Sequence, residues 1–134
     1  MRGQTAFEYI AIFSVVLLMS LILTTYSGEI TLSNQEDIRV SNAVTSVNKI
    51  VEAANIVSTQ GKPSQITLSV IIPEEIKAIN ITGKRILMKV TVASGTTDVF
   101  AMSKSDLKGY ISTNPGTRNI KVIAEGNYVN ITEG

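Results

Sequence analysis

Between Ile10 and Leu23 the chain runs apolar without a charge, Pro or Gly, and its only polar members are Ser14 and Ser20. With Gln4 to Tyr9 before it and Thr24 to Tyr26 after it, the run reads as one helix of roughly the 20 residues needed to cross a hydrocarbon core of about 30 Å. The pattern weakens at Ser27-Gly28-Glu29 and the β-branched Ile30 and Thr31, whose helix propensity is poorer than that of their flanks. There the helix either kinks or absorbs one Gly at a cost of about 1 kcal/mol relative to Ala. From Asn34 a helical period returns. Val40, Val44, Val47, Val51 and Ala54, widened by Ala43, Ile50 and Val57, form an apolar stripe along one face, and another layer must cover it. The spacing predicts a helix over 4–59, hydrophobic in 10–26 and amphipathic in 34–58, on the order of 80 Å long at 1.5 Å per residue. Gly61 and Pro63, just past the periodic region, are its stop.

Beyond Pro63 the period becomes two. Ile66, Leu68, Val70 and Ile72 alternate with Gln65, Thr67, Ser69 and an off-phase Ile71, the pattern of a half-buried strand ending at Pro73. Ile79 and Ile81 flank Asn80 in a second strand, Thr82-Gly83 turns the chain, and Ile86, Met88, Val90 and Val92 give a third, so that the pair makes a hairpin. Ser94-Gly95 turns into a strand from Asp98 to Met102, Ser103 to Lys108 is a polar connection suited to a short turn of helix, and Asn114-Pro115-Gly116 is a turn signal. Ile120, Val122 and Ala124 then alternate as a strand, Gly126-Asn127 turns, and Tyr128 to Thr132 returns. The expected fold class is α+β: a long N-terminal helix followed, over 60–134, by a small antiparallel β-sandwich or β-sheet of five or six strands. The inner face of that domain is covered by a second sheet or by the valine stripe.

Composition narrows the chemistry more than it narrows the fold. At 134 residues the chain is one domain with a helical appendage. A net charge of +1 with 17% charged residues supplies no field to recruit nucleic acid. The absence of Cys removes disulfides and thiolate metal sites, and the absence of His removes the commonest general base and metal ligand. The neighbours Glu36-Asp37 and Glu74-Glu75 point different ways on a helix or strand instead of converging on a substrate. Gly61-Lys62 lacks both the earlier Gly and the following Ser or Thr of a phosphate-binding loop, having Ile56 and Pro63 there. No catalytic residue, metal site or cofactor is expected, and the chain is not read as an enzyme.

One carboxylate, Glu8, sits at the mouth of the apolar run. A secretory signal is cut after its apolar core, at a small-x-small site. Here the better cut precedes the core, because Arg2-Gly3 stands directly before Gln4, with Glu8 and Tyr9 following. The motif Gly3-Gln4-x-x-x-Glu8-Tyr9 with its apolar run, about twenty-five residues in all, resembles the processing site of archaeal type IV pilins carrying the class III signal peptide. That resemblance implies a 1–3 leader removed by a prepilin peptidase between Gly3 and Gln4, with the hydrophobic helix retained. It implies that Glu8 pairs with the free amine of Gln4 on a neighbouring subunit, and that Ile10, Ile12, Phe13, Val16, Leu17 and Leu21 pack the core of a helical homopolymer.

The partners expected from it are other copies of the chain, the pilus assembly machinery, and the membrane before assembly. The location expected is an extracellular filament serving adhesion or surface attachment. An archaellin shares the plan but typically lacks the Gln-x-x-x-Glu-Tyr pattern seen from Gln4 to Tyr9. A single-span anchor carrying an extracellular β-domain that binds a sugar or protein is the alternative from another class. Two acceptor motifs, Asn80-Ile81-Thr82 and Asn130-Ile131-Thr132, fit N-glycosylation of an exported domain, and both are expected at or near turns.

Overall fold

The computed structural model describes residues 2–134. Met1, part of the expected leader, lies outside the described residues, as do the side chains of Glu29 and Leu32. The first element is a helix, α1, assigned over Arg2–Gln60. Seven strands follow it: β1 Gln65–Ile72, β2 Ile76–Thr82, β3 Arg85–Val92, β4 Gly95–Met102, β5 Asp106–Gly109, β6 Gly116–Ala124 and β7 Tyr128–Glu133. The chain divides into two compact units, one ending at Glu36 and the other spanning Asp37–Gly134. In the first unit the helix is unbroken at Gly28, and Thr31 Oγ1 bonds the Ser27 carbonyl across it at 2.9 Å.

The second unit is α+β, as the change of period from 3.6 to 2 predicts. Its strands form two sheets, a four-stranded one in the order β1-β6-β7-β5 and a three-stranded one in the order β2-β3-β4. The helix stops at the expected place. Gly61 takes φ 78°, and its N–H bonds the Val57 carbonyl at 2.9 Å, closing the last turn as a left-handed cap does. One core joins the helix to both sheets. Ala43, Val47, Ile50, Ala54 and Val57 pack in the same cluster as Val70 and Ile72 of β1, Met88 and Val90 of β3, Ile120 and Val122 of β6, and Ile131 of β7. The valine stripe and the second sheet therefore share the work of covering the inner faces.

Polar contacts fix the register of the helix on the sheets. Ser46, itself buried, donates to the Ile71 carbonyl at 2.6 Å. Asn55 Oδ1 accepts from Ser103 Oγ at 3.0 Å and from the Lys104 amide at 2.9 Å, and Ser58 shares a hydrogen bond with Ser105. Near the start of the unit, Arg39 Nη1 reaches Glu75 Oε2 at 3.0 Å and the Thr91 carbonyl at 3.2 Å.

Six sequence expectations need correction. The strands number seven, not five or six, and β4 begins at Gly95 rather than Asp98. Ser103 to Lys108 holds no helical turn: its second half is β5, which pairs parallel with β7, so the domain is not wholly antiparallel. Asn114-Pro115-Gly116, read as a turn signal, instead ends an irregular connection, residues 110–115, that buries Ile111 and ties the Ser112 amide to Glu133 Oε1 at 2.9 Å. Val44, placed in the stripe by its spacing, is 40% exposed, while Val47, Val51 and Ala54 are buried as expected, and the most deeply buried seam runs through Ala43, Val47, Ile50, Ala54 and Val57. Those intervals of four, three, four and three are the same as the predicted ones, read from Ala43 instead of Val40.

Candidate functional site

The residues of the motif and of the apolar run all lie on α1, in the unit that ends at Glu36. Their side chains point to every side because a helix spreads successive residues around its axis. All described side chains from Gly3 to Gly28 are exposed. Among the large apolar ones the exposure runs from 49% at Leu17 to 73% at Phe7. Ile10, Ile12, Phe13 and Val16, four of the six expected packing residues, line one shallow apolar groove together with Tyr9. Leu17 and Leu21 are exposed elsewhere on the run. A helix that is apolar all round is one that other matter must surround. α1 is long and apolar enough to cross a membrane, by length and composition.

Polar atoms within such a segment are costly in an apolar medium unless they are bonded. Here four of the hydroxyls turn back on their own helix. Ser14 donates to the Ile10 carbonyl at 2.8 Å, Thr24 to Ser20 at 2.7 Å, Thr25 to Ile22 at 2.9 Å and Ser27 to Leu23 at 2.9 Å. Sequence reasoning treats Ser14 and Ser20 as interruptions of the run. The signal it leaves unused is that a helical Ser or Thr always has a carbonyl four residues back within reach.

Gly3, Gln4 and Glu8 are helical and exposed, with nothing near the position a Cβ would take at Gly3. Among the described residues Glu8 meets no cation. No group of three or more acidic side chains gathers as a metal site would, among the described residues.

Both glycosylation motifs lie in strands, that of Asn80 ending at Thr82 beside the turn at Gly83 and that of Asn130 within β7. Asn80 is exposed on β2, an outer strand of its sheet, whereas Asn130 is half-buried on β7, between β6 and β5. No protein-family model, no curated protein and no solved structure matches this chain.

Proposed function

We propose that the chain is the structural subunit of an extracellular filament of the type IV pilin kind. In this reading it is held in the membrane by α1 before assembly and packed through the same segment afterwards. The observation that carries this reading is a segment apolar on all sides and exposed along its whole length, in which the hydroxyls of Ser14, Thr24, Thr25 and Ser27 are bonded within the helix. Those four bonds need not break when lipid is exchanged for protein neighbours. Contacts between copies that do not close into a ring generate an open helical polymer. Glu8 supports the same reading. A carboxylate entering an apolar core needs a cation, because an unpaired buried charge is far more costly than a paired one, and cleavage after Gly3 would supply one as the amine of Gln4 on a neighbouring copy. The β-domain forms the outer layer and makes the surface contacts of adhesion.

Shearing cells that produce the chain and imaging the released fraction tests the proposal. Filaments containing the chain are expected. Retention of all the chain in the membrane fraction would instead favour a single-span anchor. Glu8→Ala is expected to lower filament yield while leaving the thermal midpoint of the β-domain unchanged, because the charge acts between copies. Filaments of normal yield and geometry from that variant would remove the pairing role.

A further inference from the structure

The outer face of the β2-β3-β4 sheet is unusual for a surface. While Ile79, Met88 and Val99 point into the core, the register places Asn80 of β2 opposite Leu87 of β3, and Leu87 opposite Phe100 of β4. These three side chains form one row across the sheet. Phe100 is 59% exposed, and Met102, two residues further along β4, is 62% exposed. Beside this row the register sets Lys89 opposite Asp98, and these two join Lys77, Ala78, Asn80 and Thr96 around a polar groove. An exposed aromatic on an outer strand invites unwanted pairing unless something covers it.

We propose that Asn80 carries an N-linked oligosaccharide whose first sugars lie across this face and cover Leu87 and Phe100. Asn80 and Thr82 supply the acceptor motif, and both are exposed. Neighbouring strands stand about 4.8 Å apart, so Leu87 is one strand spacing and Phe100 two from the acceptor, the reach of a first and a second sugar ring. A pyranose has an apolar C–H face that suits Leu87 and Phe100 and a rim of hydroxyls that suits Lys89, Asp98 and Thr96. Asn130 has no comparable setting: it is half-buried on an interior strand, flanked by Ile123 and Lys108. In the transfer, Asn80 Nδ2 bonds to C1 of the first sugar of a lipid-phosphate-linked oligosaccharide. The C1–O bond to phosphate breaks with its electron pair on the phosphate oxygen, and the amide proton passes to a base of the transferring enzyme.

The proposal rests on the export of the β-domain, one part of the function proposed above, and not on polymerisation. The experiment therefore separates the two. The full chain is produced behind an added secretory leader in a host that N-glycosylates exported proteins, so that translocation does not depend on α1. Export by α1 alone is scored in parallel, without the leader, by protease digestion of intact cells, and its failure there counts against the proposed function only. Mass spectrometry of glycopeptides from the led chain is expected to find sugar on Asn80. Asn80→Gln should lower the thermal midpoint by a few degrees and increase binding of a dye that reports apolar surface. In a Phe100→Ser background, Asn80→Gln should have no further effect on dye binding. An unmodified Asn80 in the translocated chain overturns the proposal. So does a sugar whose removal changes dye binding equally with and without Phe100.

Discussion

At Gly109 the backbone takes φ 136° and passes so close to β7 that a Cβ would fall onto the Ile131 carbonyl. Strain at such a φ alone costs on the order of 1–3 kcal/mol for a residue with a side chain, and here the clash with backbone adds to it. Gly109→Ala is therefore expected to destabilise the β-domain by more than that range, read as a shift of the urea midpoint. The helix seam gives a second contrast. Ile50 is fully buried and Val44 is 40% exposed. Ile50→Ala should cost about 2–5 kcal/mol, whereas Val44→Ala should stay within about 0.5 kcal/mol. Equal losses at the two positions would mean that the seam is phased on Val44. Single residues differ in how much of this the sequence reveals. Gly61 is legible because its task is local, ending a helix two positions before a proline. Gly109 is not, because its constraint comes from Ile131, twenty-two residues later, and exists only once β5 and β7 pair.

Elements with a strong period were legible and weak ones were not. β1 and β3 alternate over eight residues each, and their buried residues, Val70 and Ile72, then Ile86, Met88 and Val90, belong to the sets the pattern predicts, whose other members Ile66, Leu68 and Val92 are half-buried. β5 has four residues and one buried apolar side chain, Leu107, too little to carry a period. It is a strand because β7 offers an edge to pair with, a tertiary fact. The helix from Asp37 to Gln60 belongs to this unit by its packing, so fragments should divide accordingly. A chain beginning at Gln35 keeps the seam and is expected to be a folded, soluble monomer. One beginning at Lys62 exposes the sheet residues that Val47, Ile50 and Val57 cover, and burying one such side chain contributes roughly 1.5–3 kcal/mol. Several such losses approach the whole of a domain's stability of about 5–15 kcal/mol. The shorter fragment should aggregate or lack fixed tertiary structure, as gel filtration and near-ultraviolet circular dichroism would read. Equal stability of the two fragments would mean that the seam does not hold the sheets together.

For the molecule as a whole, the proposed assembly depends on the maturation of its N-terminus. Cleavage between Gly3 and Gln4 is expected, and intact-mass spectrometry of the chain from its natural source should find Gln4 first. A mature terminus at Met1, or beyond Leu23, would sink the signal assignment. The apolar run and its motif were legible because both are contiguous in sequence, whereas the closed hydroxyl bonds along the run and the row from Asn80 to Phe100 appear only when the chain is folded. β7 has a further consequence. It follows every other strand in the chain, yet it lies between β6 and β5 in its sheet. As the ribosome delivers the chain from its N-terminus, α1 is available to the bilayer long before the strand that fills the middle of the larger sheet has been made. On the proposed function, a chain held at the membrane by α1 would wait there with its outer domain still open until β7 slots between β6 and β5.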